Sequence, residues 1–369
     1  GQRPNFHVAE TPVFIPTGLR DKLIRASEDV MDTLLRPDFM ERSAGALLDD
    51  QTVPNESPRP AFIQADFAIC RAADGSLEPQ LIEAQGFPSL YFFQEMVAGA
   101  YRRFFNIPEH FTSRFNGLTS EEYHKLLEQT ILAGYNPEEV ILLEILPNTQ
   151  NTRIDFKVAS EKLGIPICCI SELELENDKL YYRTENGERQ RVRRIFNRVI
   201  FDELFQYPEL KRQFNMIEEV DVEWAGHPNW FYRLSKHSLP MIESQFSPEA
   251  HFLSDLRGKY PADLENYVLK PLYSFAGAGV ILDLEDAQLD AIKSPEHYIL
   301  QRKVDYVPLV PTLDDPAKLE IRMMYLWPPG VDRPVLVNNL VRLSKGKMIG
   351  VKFNKDRTWV GGSVGYFEP

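Results

Sequence analysis

A single lysine inside an apolar stretch, followed by a loop of small residues, is the strongest chemical signal in the chain. Lys270 follows the apolar run 267–269, and the loop 274–279 contains Ser274, Gly277 and Gly279. A lysine in a buried strand must find an anion or shift its pKa, and glycines let backbone N–H groups approach a phosphate. The segment therefore predicts a phosphate clamp between two strands, the second beginning at Val280, although an ordinary hairpin with an edge lysine fits the pattern equally well.

A second group of side chains suits a hard metal ion. Asp66 lies in one apolar strand pattern, and Glu83 and Gln85 stand close together in the next. Because side chains alternate between the faces of a strand, Glu83 and Gln85 share a face, which Asp66 can join from the neighbouring strand. Two carboxylates and an amide oxygen suit magnesium held with nucleotide phosphates. The alternative, solvated carboxylates on an outer sheet face, is disfavoured by the apolar residues on either side.

Two segments late in the chain add polar groups to predicted strands. The strand pattern 298–303 ends in Gln301 and two basic residues, and its backbone can hydrogen-bond an adenine edge. In the pattern 318–325, alternation puts Glu320 and Arg322 on one face, where a planar guanidinium suits phosphate oxygens. Taken alone, however, this spacing is more typical of a surface ion pair.

The elements that must position these residues follow from the spacing of apolar side chains. Residues 17–48, 89–104 and 119–134 have the three- and four-residue spacing of helices. By contrast, 61–69 and 80–85 have the pattern of two antiparallel strands joined by a turn. The predicted metal ligands therefore lie on a strand pair.

The middle of the chain predicts a small Rossmann-like lobe. Dense apolar strands at 140–146 and 165–170 flank a helical pattern at 152–163. This β-α-β order indicates a buried parallel sheet. The lobe ends with the basic strand 193–198, and strands return from residue 266 onwards.

The composition excludes several classes of protein. Of the 369 residues, 43% are hydrophobic and 26% are charged, which excludes a disordered chain, a collagen-like repeat and a small disulfide scaffold. The net charge of −13 argues against general binding of nucleic acid or anionic membranes, because phosphate contacts need a basic face. There are three cysteines without spaced pairs and no apolar run near the about 18 residues of a membrane helix, and we expect no signal peptide. We therefore expect a cytoplasmic protein.

Taken together, these motifs resemble the circularly permuted branch of the ATP-grasp ligases, which includes glutathionylspermidine synthase. In that branch the magnesium strands, Arg-x-Asp-Phe and then Glu-x-Asn with a proline turn, precede the nucleotide-binding lysines. Segments 64–67 (Gln-Ala-Asp-Phe) and 83–89 (Glu-Ala-Gln-Gly-Phe-Pro-Ser) are similar to these strands. The Lys-Pro, glycine loop and valine of the family look like 270–280, and its Gln-to-Pro hinge is similar to 301–308. The resemblance extends over most of 61–369.

The resemblance implies an α+β or α/β chain with an ATP-grasp fold of the glutathione synthetase type and an inserted Rossmann-like lobe. It implies three domains. Residues 1–125 would hold the N-terminal helices and magnesium strands, 126–205 the Rossmann-like lobe, and 206–369 the nucleotide-binding lobes.

The resemblance also implies an enzyme that joins a small-molecule carboxylate to an amine, with ATP and Mg²⁺, through an acyl phosphate. The implied metal ligands are Asp66, Glu83 and Gln85. The implied nucleotide-binding residues are Lys236, Lys270, Ser274, Gly277, Gly279 and Gln301, with the 274–279 loop as a lid. Either Arg322 or Arg198, the latter in a basic strand similar to one in permuted members, would stabilise the transferring phosphoryl group.

The chain departs from the family pattern at two positions. Gln64 stands where the family has an arginine that contacts the transferring phosphate, and Gln85 replaces an asparagine. Two alternatives to the ligase remain: a nucleotide-binding homologue without turnover, which Gln64 favours, and a small-molecule kinase on the same scaffold.

Overall fold

The fold is a mixed α/β arrangement. The computed structural model describes residues 4–273, 279–346, 349, 354 and 356–369. Its α-helices are α1 (Thr17–Leu34), α2 (Phe39–Arg42), α3 (Tyr91–Phe104), α4 (Ser120–Leu132), α5 (Arg153–Leu163), α6 (Phe201–Leu204), α7 (Asn229–Arg233), α8 (Leu253–Leu256) and α9 (Asp286–Asp290). Its short 3₁₀ helices are Ala44–Ala46, Asp49–Gln51, Pro137–Glu139, Ile170–Glu172, Lys236–Met241, Leu264–Asn266 and Pro295–His297.

The strands form several sheets. They are β1 (Val13–Phe14), β2 (Phe62–Arg71), β3 (Leu77–Gln85), β4 (Val140–Glu144), β5 (Ile167–Cys169), β6 (Glu174–Glu176), β7 (Lys179–Arg183), β8 (Arg189–Val192), β9 (Arg194–Asn197), β10 (Glu223–Ala225), β11 (Ala250–Phe252), β12 (Tyr267–Pro271), β13 (Tyr298–Arg302), β14 (Pro308–Val310), β15 (Ala317–Leu326), β16 (Val335–Ser344), β17 (Gly361–Ser363) and β18 (Gly365–Tyr366).

The first long helix is shorter than its apolar pattern predicts. The prediction of helix over 17–48 is wrong beyond Leu34, where α1 ends and short helical turns take over. Pro37 explains the stop, because proline disfavours the helical conformation of the residue before it and lacks an N–H donor. The helix α4 agrees with its prediction, and Thr119 and Glu122 form a capping box at its start.

A central antiparallel sheet separates an apolar face from a polar one. Its strand order is β17-β16-β15-β2-β3, with β14 also paired to β15. The apolar face, including Ile63, Phe67 and Ile321, packs in one core with α1. The registers of β2, β3, β15 and β16 put the polar side chains on the opposite face. They are Gln64, Asp66, Glu83, Gln85, Glu320, Arg322 and Arg342.

A smaller antiparallel sheet has the order β11-β13-β12. Its Leu269 and Leu300 pack against residues of α8 and α9. Lys270 and Gln301 lie on the other face, because they alternate with these leucines along their strands. The second strand predicted from Val280 is reduced to an isolated bridge between Leu269 and Ile281.

The middle of the chain forms the predicted parallel sheet. Strands β10, β9, β4 and β5 pair in that order and are all parallel, with α5 connecting β4 to β5. This confirms the predicted β-α-β order. The strand β10, at 223–225, also joins this sheet, although the boundary predicted at residue 205 left it outside the lobe. No helix in the described ranges has the length and apolar character that crossing a bilayer requires.

Candidate functional site

Lys270 joins the smaller sheet to the central one. Its Nζ donates to Oε1 of Gln301 at 2.5 Å and to the backbone oxygen of Ile82 at 3.2 Å. Because Ile82 precedes Glu83 on β3, the lysine reaches across from one sheet to the strand that carries the predicted metal ligand. The Nε2 of Gln301 also donates to the backbone oxygen of Leu81, at 3.4 Å.

Two lysines share the carboxylate of Glu83 as an electrostatic partner. Burial lowers the pKa of Lys270 to about 8, and although Glu83 opposes this shift, the charge of Lys236 adds to it. Burial also lowers the pKa of Lys236, against the effects of Glu83 and Asp202. Lys236 begins the 3₁₀ helix Lys236–Met241. The structure therefore brings together Glu83, Lys236 and Lys270, three of the residues that the resemblance singles out.

Asp66 lies on the same face, but arginines occupy its carboxylate. Nε and Nη2 of Arg322 donate to its two oxygens at 2.6 and 2.7 Å, and Arg342 donates to Oδ2 as well. Burial raises the pKa of Asp66, but the two guanidinium charges outweigh it and hold this pKa below its ordinary value. Nη1 of Arg322 donates to Oε1 of Gln64 at 2.7 Å.

Sequence reasoning missed Arg342 and Tyr306 and took Glu320 as a surface partner of Arg322. Arg342 lies opposite Glu320 in the sheet and contacts its carboxylate, and the hydroxyl of Tyr306 donates to Oε2 of Glu320 at 2.8 Å. Burial raises the pKa of Glu320, while Arg342 opposes the shift. A signal was present, since Arg342 is a lone charge in an apolar strand pattern, as Lys270 is.

These groups form one connected set of charges, which we call the cleft cluster. It consists of four cationic side chains and three carboxylates: Lys236, Lys270, Arg322, Arg342, Asp66, Glu83 and Glu320. Its formal charge is therefore +1, in a chain whose net charge is −13. Such a local excess of positive charge favours an anionic ligand.

Gln85 contacts Glu83, and the structure describes only part of the glycine loop. Nε2 of Gln85 donates to Oε1 of Glu83. Gly279 has φ +70°, and a Cβ there would lie 2.8 Å from Cγ of Pro271, so both conformation and space require glycine. Ser274 and Gly277 lie outside the described residues. Among the residues that the structure does describe, no group of three or more His, Cys, Asp or Glu side chains could hold a metal ion.

Arg198 belongs to a different place, next to the parallel sheet. Its guanidinium lies over the rings of Phe87 and Phe156, 4.6 and 5.3 Å from their centroids. The residue is 6% exposed, and its Nε and Nη1 have no hydrogen-bond partner among the described residues. Burial lowers the pKa of Arg198, against the opposing charges of Glu144 and Asp155.

The surroundings of Arg198 are acidic and buried. Burial raises the pKa of Glu144 to about 8. Oδ1 of Asp155 accepts the backbone N–H groups of Phe92 and Phe93 at 2.9 and 2.8 Å, so this carboxylate is used at the start of α3. Glu144 ends β4, and Arg198 follows β9. The carboxyl ends of parallel strands are where α/β sheets bind ligands.

The two antiparallel sheets and the parallel β-α-β lobe define the class of protein: this is a mixed α/β chain. A solved glutathione synthetase-like effector from Globodera pallida has this fold, with a TM-score of 0.59 and 12% identity over 98% of this chain and 90% of that one. A structure from Methylobacillus flagellatus KT, assigned there as a gamma-glutamylcysteine synthetase, has a TM-score of 0.47 and 10% identity over 92% of this chain and 85% of that one. No family model matches the chain, and no curated protein matches it.

Proposed function

We propose that the protein is an enzyme that uses ATP to join a carboxylate to an amine. The observation that carries this proposal is Lys270, which is half-buried between two sheets and shares the electrostatic field of Glu83 with Lys236. A net positive cluster in an acidic chain suits a polyphosphate. The fold shared with the glutathione synthetase-like effector is consistent with such a ligase.

The two lysines would hold the α- and β-phosphates, and the backbone of β13 beside Gln301 would hydrogen-bond the adenine edge. Phosphoryl transfer depends mainly on positioning and on neutralising charge. Fixed lysines fit that requirement, because they need not reorganise when the ligand arrives. Ser274, Gly277 and Gly279 keep their predicted role in a loop over the phosphates.

Magnesium fits this cleft only as an ion completed by the nucleotide. Mg²⁺ in such sites uses one or two carboxylates together with substrate phosphates and water, and Glu83 with Gln85 meets that description. The ion would neutralise charge on the β- and γ-phosphates when bound.

Arg198 would bind the substrate carboxylate rather than the transferring phosphoryl group. Its buried Nε and Nη1 lack partners among the described residues, and a guanidinium donates charge-assisted hydrogen bonds to a carboxylate. The aromatic rings of Phe87 and Phe156 beside it would exclude water. Because Phe87 follows β3 closely in the chain, Arg198 lies near the strand that carries Glu83 and Gln85.

The proposed reaction has two steps. A carboxylate oxygen of the substrate attacks the γ-phosphorus of ATP, the bond to the β-phosphate oxygen breaks, and ADP leaves. The unprotonated amine then attacks the acyl carbon, inorganic phosphate leaves, and the amine loses a proton. Exclusion of water protects the acyl phosphate between the steps.

The test is ADP release with a panel of small acids and amines. We expect turnover that Lys270→Met lowers by at least about a hundredfold, since it removes a charge-stabilising group of the kind that P-loop and kinase lysines provide. Lys179→Met, an exposed lysine on β7, is the matched control and should leave turnover unchanged. Equal rates in the native protein and Lys270→Met would contradict the proposal.

Hydroxylamine separates the ligase from a small-molecule kinase. An acyl phosphate reacts with hydroxylamine to give a hydroxamate, whereas a phosphorylated alcohol or amine does not. Hydroxamate that depends on both ATP and the acid supports the ligase. ADP release without hydroxamate supports the kinase.

A nucleotide-binding protein without turnover is the second candidate. It is favoured by Gln64, whose amide is engaged by Arg322 and by the backbone oxygen of Ser89, at the position where the resemblance implies a phosphate-contacting arginine. This candidate would be supported if the protein binds ADP but forms no ADP from ATP with any acid and amine of the panel.

A further inference from the structure

The carboxylate of Asp66 has little capacity left for a metal ion. Each of its oxygens accepts a hydrogen bond from Arg322, and one also accepts from Arg342. The pair of bonds to Arg322 has the planar two-point geometry that a guanidinium and a carboxylate prefer. The Asp66 side chain is also 1% exposed, so a metal ion would have to displace a buried, paired arginine.

Arg322 and Arg342 differ in the exposed fraction of their side chains and in the hydrogen bonds that their nitrogens make. All three nitrogens of Arg322 donate, to Asp66 and to Gln64, and its side chain is 8% exposed. Arg342 is 34% exposed, and its Nε has no hydrogen-bond partner among the described residues. Arg342 is therefore the arginine whose side chain presents more exposed surface to a ligand.

We propose that Asp66 is not a metal ligand but a positioning residue, which together with Arg322 and Glu320 holds Arg342 as the arginine that faces the phosphates. This inference rests on the proposed anion site. It assigns the charge expected from an arginine at position 64 to β16, which lies two strands away from β2 and carries Arg342 on the same face of the sheet. The fixed cation is then supplied by the protein, and any metal ion is left to Glu83 and Gln85.

The first experiment compares Mn²⁺ affinity by electron paramagnetic resonance at a concentration of inorganic pyrophosphate that saturates each protein, so that a weaker anion affinity does not alter the result. Asp66→Asn keeps the size of the side chain and should leave the affinity within about twofold of the native value. Glu83→Gln is the matched carboxylate-to-amide control on the neighbouring strand. An affinity that falls at least about tenfold in Asp66→Asn would overturn the proposal, and native protein that binds no Mn²⁺ would support it.

The second experiment measures pyrophosphate binding in EDTA by calorimetry. Arg342→Gln should weaken binding by at least about tenfold, whereas Arg189→Gln, on the β7–β8 hairpin and paired with Glu176, should leave it unchanged. Equal affinity in the native protein and Arg342→Gln would refute the role of Arg342. Pyrophosphate binding without ADP binding would refute the proposed ATP function and leave this inference supported.

Asp66→Glu tests positioning separately from charge. The variant keeps the negative charge but lengthens the arm, so both guanidinium groups must move. We expect metal-free pyrophosphate affinity to fall at least about fivefold, as the bidentate geometry is lost. An unchanged affinity in a folded Asp66→Glu protein would count against positioning, since neither a metal ligand nor a purely structural residue would alter metal-free binding.

Discussion

Burial sets the chemistry of the cleft at the scale of single residues. Lys270 is half-buried, and its pKa falls to about 8 because the charged amine loses hydration. Glu83 compensates only part of that loss. A polyphosphate would supply the remaining negative charge, which is why this lysine favours an anionic ligand.

The titration of Lys270 should appear in ligand binding. Below pH 8 the amine is protonated and attracts an anion, and above pH 8 it is neutral. ADP affinity in the native protein should therefore fall by up to about tenfold per pH unit above pH 8. Lys270→Arg stays charged, so its affinity should change less over the same range than that of the native protein. Calorimetry at pH 7 to 9.5 checks this, and parallel profiles for both proteins would rule out Lys270 as the titrating group.

Glu144 should make the free energy of unfolding depend on pH between about 4.5 and 8, below the range in which Lys270 titrates. Its pKa is raised from 4.5 to about 8 by burial, so its contribution is fully present below pH 4.5 and is lost as pH rises through 8. In this window the free energy of unfolding should fall by about 1.4 kcal/mol per pH unit relative to Glu144→Gln, which does not titrate. Urea titrations of both proteins at pH 5 and 8 measure the difference. A constant difference at both pH values would contradict this assignment.

The central sheet shows how one element separates core from site. Period-two alternation puts Phe67 on the apolar face against α1 and its neighbour Asp66 on the polar face. A one-residue shift in register would exchange the two faces, so burial of the apolar face fixes where the charges lie. The sheet therefore positions the cleft cluster through its core packing.

Truncation of a core side chain should measure that packing. Phe67 is fully buried, and Phe67→Ala should lower the free energy of unfolding by about 3–5 kcal/mol. Phe104, at the end of α3, is 82% exposed, and Phe104→Ala should change it by less than about 0.5 kcal/mol. Denaturant unfolding measures both changes. If Phe67→Ala lowers the free energy of unfolding as little as Phe104→Ala does, this face of the sheet does not form the core.

At the scale of the whole molecule, a buried asparagine connects three distant segments. Nδ2 of Asn339 on β16 donates to the backbone oxygens of Ser113 and Gly365, and its Oδ1 accepts the N–H of Gly365. The C-terminal strand β18 also pairs with β1 near the start of the described chain. The late strands are thus tied into the body that carries the cleft.

Loss of this connection should destabilise the protein. Asn339→Leu keeps a similar volume but leaves buried peptide groups of Ser113 and Gly365 unpaired, which should cost about 2–5 kcal/mol in the free energy of unfolding. Gln129→Leu, at an exposed position of α4, is the control and should have little effect. A stable Asn339→Leu protein with a native melting temperature would contradict this account.

Much of the architecture was predictable because it depends on local periodicity. The positions of β2 and β3, the parallel order of β4 and β5, and the shared face of Glu83 and Gln85 follow from alternation and apolar spacing. The lysine on β12 was equally readable, since a charge in an apolar run must be compensated. The end of α1 was not predicted, because the apolar spacing continues past Pro37 although the helical backbone does not.

The partners of the charged groups depend on contacts that no local pattern encodes. Arg322 and Arg342 are 256 and 276 residues away from the Asp66 that they bind, and their meeting depends on the register of β15 and β16 across the sheet. In the same way Arg198 lies over Phe87 and Phe156 because segments remote in sequence pack together. Periodicity along one segment therefore tells which side chains share a face, whereas the pairing of remote strands selects the charge that each of them meets.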